Sequence, residues 1–470
     1  MKFTCLSKGR GYHFPPCQIL NICGFCILVD CPIDLSSIAI FSPIPPGPCS
    51  MLDVEGSNFS NGFESVDPKK QKLERPLDGN SLIRAEPWYK TVKILHLWDI
   101  SFIDIILISS PMGMLGLPFL TRAKAFSAKI YVTEAALRFG QLMIEDLVSM
   151  HKEFKHFYGS GDHCFPQWMK WEELELLPSV LKGIALGKDG TELGGWMPLY
   201  SAADVKDCMQ KVQSLKYAEE ACYNGTLIMK AFSSGLEIGT CNWLISGPKG
   251  NIAFLSSSVF DSAVAMNFDC HALQGNDLTL YSDFSFLNST EDSEDKSSPI
   301  SDDKDNSKAM VDTGDGSGEM EKLAYICSCV IDSVKAGGSV LIPIGRFNII
   351  LQLLELISFS LESSNLKVPM FIISTVAEEL LALTNIIPEW LCDQRQNKLF
   401  SCEPLFAHAE LVKEKKTPLV SYSIFTRTIS NVAGTLYSVF SSLESAARPC
   451  CSFASALVWG SKISAGDGGR

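Results

Sequence analysis

The loop at residues 107–118, with the sequence LISSPMGMLGLP, is the stretch whose residue types bear most directly on chemistry. It holds two hydroxyls, Ser109 and Ser110, and two thioethers, Met112 and Met114. A hydrolytic zinc site is built from imidazole nitrogens and carboxylate oxygens, and a thioether is a poor ligand for zinc. A nucleophilic serine needs a histidine and an acid beside it, and the neighbouring sequence offers no such pair. The loop is therefore predicted to carry neither a metal nor a nucleophile.

A second group of residues could in principle bind a metal. His151, His156, Asp162, His163 and Cys164 stand close together in the chain. Their spacing fits neither one face of a helix at i, i+4 nor a closed zinc pattern. The expected interpretation is a helix end with surface histidines, and a displaced zinc site is kept as the alternative.

Composition narrows the class of protein. The chain has 470 residues, 46% of them hydrophobic, which is enough for a large core and predicts two domains. A net charge of −13 argues against a protein that grips nucleic acid by itself. Among the 17 cysteines, Cys23 and Cys26 form the one CxxC pair, and no Cys/His pair stands at zinc-finger spacing, which is typical of buried thiols in a reducing compartment. No stretch is long and apolar enough for a membrane span, so we expect a cytosolic or nuclear protein without a membrane partner.

Several elements must position these residues. The apolar run at 102–108 predicts a strand buried on both faces, and Thr133 is suited to cap a helix that runs from Glu134 towards His151. The second half alternates between helix and strand, which predicts parallel strands. Its predicted elements are a helix at 320–335, a strand at 339–343, a helix at 348–361, a strand at 368–373 and a helix at 375–383.

Residues 288–318 form an acidic segment with almost no large apolar side chain. Such a segment cannot offset its ordering entropy by burial, so we predict a disordered insertion. Its deletion should leave the unfolding temperature nearly unchanged, and a fall of several degrees would contradict this prediction.

The order of these elements resembles that of the metallo-β-lactamase/β-CASP proteins that cut RNA 3′ ends. The resemblance covers about residues 1–416 and rests on the stretches 26–32, 107–118, 233–239, 253–258 and 337–346. It implies an α/β fold, namely a metallo-β-lactamase αββα sandwich with an inserted β-CASP α/β domain. The implied domains are a metallo-β-lactamase-like domain at 1–260 and a β-CASP-like domain at 261–417, followed by a divergent Ser/Ala-rich tail of unknown structure at 418–470.

Position by position, the resemblance implies that the metal site is degenerate. Asp30 matches the strand-end aspartate that supports the metal in active relatives. The other metal-site positions carry residues unable to replace the family's ligands: Ser110 and Met112 for the first two histidines, Leu115 and Met114 for the Asp-His pair, Leu236 for the third-motif histidine and Ser257 for the bridging aspartate. Tyr281 stands in place of the first β-CASP acid. The resemblance thus implies no catalytic residues, no bound metal and no cofactor.

The same resemblance implies a function. It is similar to that of non-catalytic scaffold subunits in the nucleus, which pair with an active β-CASP endonuclease paralogue and with other subunits of an RNA-processing complex. RNA, small nuclear RNA especially, would be contacted only indirectly. Two alternatives stay open: a zinc-dependent RNA endonuclease with ligands at His151, His156 and His163, and the inactive β-CASP subunit of the cleavage and polyadenylation machinery. Metal analysis separates the first alternative from the main hypothesis, and co-purification separates the second.

After Lys416 the sequence lacks the strands that complete the lactamase sheet in the family, which suggests a C-terminally truncated form. We therefore expect the strand at 103–109 to keep an open edge and an uncovered apolar face.

Overall fold

The computed structural model describes residues 1–9, 11–35, 41–42, 83–84, 87–92, 95, 100–158, 182, 186, 195–282, 315–368, 370–373, 376–409, 419–420 and 455–460. Strands up to residue 282 are β1 (Lys2–Ser7), β2 (Cys17–Ile22), β3 (Phe25–Val29), β4 (Ile33–Asp34), β5 (Phe41–Ser42), β6 (Ile83–Arg84), β7 (Tyr89–Thr91), β8 (Ile105–Leu107), β9 (Lys129–Thr133), β10 (Trp196–Met197), β11 (Val212–Leu215), β12 (Glu220–Tyr223), β13 (Leu227–Ser233), β14 (Cys241–Gly247), β15 (Gly250–Leu255) and β16 (Leu278–Tyr281). The α-helices among them are α1 (Leu117–Thr121), α2 (Glu134–Tyr158) and α3 (Ala202–Lys211).

The later elements are α4 (Asp315–Lys335), β17 (Ser339–Ile344), α5 (Phe347–Ser363), β18 (Met370–Ile373), α6 (Ala377–Ile386), α7 (Asp393–Phe400), β19 (Leu419–Val420) and β20 (Ser455–Gly460). Short 3-10 helices cover Ile100–Phe102, Pro111–Met114, His271–Leu273 and Pro388–Trp390. None of the helices in the described ranges combines the length and the apolarity that a membrane crossing requires.

The first sheet has the strand order β1-β2-β3-β8-β9-β11. The hairpin of β2 and β3 turns through Cys23 and Gly24, whose φ angles of 52° and 87° are those that a two-residue type I′ loop needs. Beyond β3 the sheet is parallel, because β8 pairs with both β3 and β9.

The predicted open edge of the strand at 103–109 is wrong. β8 lies in the middle of the sheet, and its residues Ile105, Ile106 and Leu107 are fully buried. Ile106 faces a core shared with helices, whereas Ile105 and Leu107 face the second sheet. Strands from the first half of the chain flank β8 on both sides, so its pairing does not depend on later strands.

The second sheet has the order β12-β13-β14-β15-β16 and stacks on the first. Alternate residues of β13 and β14, among them Met229 and Trp243, fill the space between the two sheets. β16 pairs with β15 in parallel, so this sheet extends past residue 260. Helices α1 to α3 cover the outer face of the first sheet, giving helix, sheet and sheet layers. The predicted α/β class with two stacked sheets is confirmed.

Helix α2 connects the two halves of the chain. Thr133 caps it as predicted, its Oγ1 accepting the Ala136 N–H at 3.3 Å. Ala136 and Ile144 belong to the core under the first sheet, whereas Ala135 and Phe139 belong to the core of the second half. One helix therefore contributes to both cores.

The second half alternates helix and strand as predicted, with two differences. β17 and β18 run parallel to each other, but β20 from the tail lies between them and is antiparallel to both. The tail at 418–470, whose structure the sequence left open, thus supplies two strands to this sheet, since β19 pairs with β18.

Helix α4 begins at Asp315, so the prediction of disorder is wrong for residues 315–318. Residues 288–314 of the predicted insertion lie outside the described residues, and the deletion that tests that prediction is limited to them.

Candidate functional site

Asp30, which the resemblance equates with the strand-end aspartate of the family, directly follows β3 and is bound by Ser109, which follows β8. Its Oδ1 accepts the Ser109 N–H at 2.8 Å, and its Oδ2 accepts the Ser109 hydroxyl. The Asp30 N–H donates to the Leu107 carbonyl at 3.0 Å. The backbone at Asp30 is left-handed, with φ of 58°, a conformation that Asn and Asp tolerate better than most residues. Both carboxylate oxygens are therefore used in binding Ser109.

Burial dominates the ionisation of this carboxyl. Burial raises the pKa of Asp30 to about 7, although the two hydrogen bonds from Ser109 lower it. A carboxylate that binds a metal must be deprotonated, and the raised pKa of this carboxyl works against that form. Its surroundings thus favour the neutral form.

Ser110, which the resemblance places at the first family histidine, caps a helix. The Ser110 Oγ accepts the Gly113 N–H at 3.1 Å and so serves as the N-cap of the 3-10 helix Pro111–Met114. The cap fixes the direction in which the following residues enter the core.

The next positions are core residues. Met112, Met114 and Leu115 are at most 1% exposed and pack in the core between the first sheet and its helices. The loop also lies directly on the retained aspartate, since a Cβ added to Gly113 would stand 2.1 Å from the Asp30 Oδ1. Protein atoms fill the space beside Asp30 on this side.

The other positions that the resemblance identifies lie on or shortly after strands of the second sheet. Leu236 follows β13 and is half-buried, and its carbonyl accepts bonds from the Arg346 Nη2 and the Asn348 Nδ2, each at 3.3 Å. Ser257 follows β15 and is also half-buried. Tyr281 lies on β16 with half of its surface exposed.

A backbone hydrogen bond joins the loop at 107–118 to the second sheet. The Ser109 carbonyl accepts the N–H of Cys241, the first residue of β14, at 2.8 Å. Among the residues that the structure describes, no three His, Cys, Asp or Glu side chains are grouped so that they could hold a metal. The residue types present do not fit zinc, because the site offers one carboxyl, hydroxyls that are already hydrogen-bonded, and apolar side chains.

The histidine cluster differs from the expectation of surface histidines at a helix end. His151 is buried on α2, with its ring 5.7 Å from that of Tyr89 in an edge-on contact. Helix α2 continues to Tyr158, so position 151 lies within the helix. The side chain of His156 and the whole of His163 lie outside the described residues.

Sequence reasoning missed three residues that organise this region. Ser109 is the partner of Asp30, whereas Glu237 and Asn348 bind each other through the Asn348 N–H and the Glu237 Oε2 at 2.9 Å. A charged Glu237 between the apolar residues Leu236 and Ile238 was the available signal. An acid in such a place needs a partner from elsewhere in the fold.

The raised pKa of Asp30 predicts a pH dependence of stability. In the unfolded chain this carboxyl ionises near its ordinary value of 3.8, whereas the folded chain keeps the proton up to about 7. The stabilisation is complete at low pH and is lost as the pH rises between these values. From about pH 5 to about pH 8, the free energy of unfolding should fall by about 2–3 kcal/mol more in the wild type than in Asp30→Asn. Urea unfolding of both proteins measures this difference, and parallel pH profiles would contradict it.

No protein-family model matches the chain. Among solved structures, a hydrolase of the β-lactamase superfamily is 13% identical over 51% of this chain and 55% of its own, with a TM-score of 0.21. An archaeal metallo-β-lactamase superfamily protein from Sulfolobus tokodaii is 10% identical over 66% of this chain and 92% of its own, with a TM-score of 0.22.

The proteins that are similar in sequence match a larger share of this chain than the solved structures do. An Integrator complex subunit 9 homolog from Nematostella vectensis is 30% identical over 430 residues, which is 90% of this chain and 58% of the relative. Human Integrator complex subunit 9 is 27% identical over 88% of this chain and 56% of its own length, and the Dictyostelium discoideum homolog is 26% identical over 88% and 57%. The chain therefore spans rather more than half the length of these curated relatives. The sequence features at 233–243, 368–377, 388–392 and 404–410 predicted a resemblance to the ninth Integrator subunit, and this prediction is confirmed: the chain is similar to the proteins named Integrator complex subunit 9 over about nine tenths of its length.

Proposed function

We propose that the chain is a non-catalytic subunit of the nuclear Integrator complex. In this role it pairs with an active β-CASP endonuclease paralogue and with other Integrator subunits, and it supports 3′-end processing of small nuclear RNA and other nascent transcripts. Contact with RNA is indirect, and the chain needs no cofactor. The names of its relatives support the complex, and the degenerate site supports the absence of catalysis.

The observation that carries the proposal is the packing around Asp30. A hydrolase of this type needs a metal to lower the pKa of a bound water and so generate hydroxide near neutral pH. Here Met112, Met114 and Leu115 belong to the apolar core, and the Ser110 hydroxyl caps a 3-10 helix. This fold can then serve to position a partner, since its core does not depend on the lost ligands.

We also retain, as part of the proposal, the division into a metallo-β-lactamase-like domain at 1–260 and a β-CASP-like domain at 261–417. Helix α2 and strand β16 join the two, the helix through both cores and the strand through the second sheet.

Affinity purification from nuclear extract, followed by mass spectrometry, tests the proposal. The tagged 470-residue chain should recover a β-CASP paralogue and other Integrator subunits. Recovery of cleavage and polyadenylation factors in their place would favour the alternative complex. Recovery of neither set of proteins would contradict the proposal.

A further inference from the structure

A buried ion pair joins the two halves of the chain. Glu237 lies in the loop between β13 and β14, and its Oε1 accepts the Arg346 Nε–H at 2.9 Å. Its Oε2 accepts the Asn348 N–H, also at 2.9 Å. Arg346 and Asn348 flank the start of α5, which belongs to the second half. Both oxygens of one carboxylate thus bind backbone or side-chain groups that lie more than 100 positions away in the chain.

The pair is shielded from solvent on the side of the carboxylate. The Glu237 side chain is 4% exposed, whereas that of Arg346 is 26% exposed. Burial raises the pKa of Glu237, and Arg346 together with the Asn348 N–H acts against that rise. A buried charge is tolerated when such partners surround it, and loss of one partner is costly.

Tyr12 and His13, between β1 and β2, lie beside the ion pair. Gly345 lies against the ring of His13, because a Cβ added to this glycine would stand 2.1 Å from the His13 Cε1. Tyr12 is close enough to Glu237 and Arg346 for their charges to affect the pKa of its hydroxyl. The turn between β1 and β2 therefore packs beside the same contact.

Apolar contacts surround the ion pair. Phe139 of α2 and Phe347 of α5 have ring centroids 5.5 Å apart, and Tyr217 and Trp390 have theirs 4.5 Å apart. Ile238, next to Glu237, belongs to the core of the second half. Residues 236–240 and 345–350, which we call the seam, thus form a polar contact set inside an apolar border.

We propose that the Glu237–Arg346 pair is a latch that joins the two halves of the chain at the seam. Leu236, which stands at the third-motif position, is part of this contact through its carbonyl, which Arg346 and Asn348 both bind. The latch fixes the backbone at that position from the opposite half. This proposal concerns the conformation of the chain and does not depend on membership of the Integrator complex.

Arg346 offers a matched control, because it binds a second carboxylate. Its Nη1 donates to the Glu319 Oε1 at 2.9 Å, and Glu319 lies on α4 in the same half as Arg346. Glu237→Gln removes the carboxylate charge that binds Arg346 from the other half of the chain. Glu319→Gln removes the carboxylate charge that binds Arg346 from within its own half. Arg346→Met removes the other partner of the ion pair. In this variant the buried Glu237 carboxyl can take up a proton and become neutral.

Hydrogen–deuterium exchange of the 470-residue chain tests the latch. Glu237→Gln and Arg346→Met should each raise exchange in peptides covering 236–240 and 345–350 about ten-fold, with β2, β3 and β8 unchanged. Glu319→Gln should leave these peptides close to wild type. The double variant Glu237→Gln/Arg346→Met should exchange no faster than the faster single variant, because the two changes break one interaction.

Three results would overturn the proposal. The first is unchanged exchange in the seam in both single variants, and the second is an equal rise in Glu319→Gln. The third is a uniform rise that includes β8, which would show that the pair stabilises the whole fold rather than the seam. If Glu237→Gln does not fold, Arg346→Met and its comparison with Glu319→Gln decide the question alone.

Discussion

Restoring a family ligand by Met112→His should destabilise the chain by about 3 kcal/mol and should create no zinc site. Met112 is 1% exposed in the core under the first sheet, where an imidazole would lose its hydrogen bonds to water. Urea unfolding with and without added zinc measures both parts of the prediction. The expected result is a lower midpoint that zinc does not restore.

Met112→Leu is the matched control. It keeps the volume and apolar character of the side chain, so it should cost less than about 1.5 kcal/mol. A Met112→His protein as stable as the wild type, and stabilised further by zinc, would show that the position faces a metal pocket and not the core.

Asp30→Ala should cost about 3 kcal/mol, because it leaves the Ser109 N–H and hydroxyl without their partner in a buried place. Alanine also fits the left-handed backbone at this position poorly. The prediction treats the retained aspartate as a structural residue that ties β3 to β8.

Asp30→Asn separates this role from metal binding. Its side-chain oxygen can still accept the Ser109 N–H, and asparagine tolerates the left-handed conformation, so most of the stability should remain at neutral pH. Thermal unfolding of the two variants beside the wild type provides the test. An equal loss of stability in Asp30→Ala and Asp30→Asn would mean that the fold requires the ionised carboxylate, and with it a bound cation.

Local patterns predicted much of the fold. The Thr133 cap of α2 and the alternation of α4, β17, α5 and β18 follow from periodicity and capping residues. These signals act within a few residues, so the sequence displays them directly.

Features that depend on distant residues were not predictable in this way. The central position of β8 depends on which strands pair, and the insertion of β20 between β17 and β18 joins segments more than 80 positions apart. The partners of Asp30 and Glu237 likewise come from separate parts of the chain. The metal-site positions were identified by resemblance alone. The structure adds what the side chains of the 107–118 loop do: Ser110 caps a 3-10 helix, and Met112, Met114 and Leu115 pack in the apolar core.

The most direct test of the central claim is the zinc content of the purified chain, measured by elemental analysis after expression in zinc-supplemented medium and dialysis against metal-free buffer without a chelator. We expect no stoichiometric zinc and, in a parallel assay, no RNA cleavage. One or two zinc ions per chain, lost on His151→Ala or His163→Ala, would contradict it and would favour the displaced-ligand endonuclease.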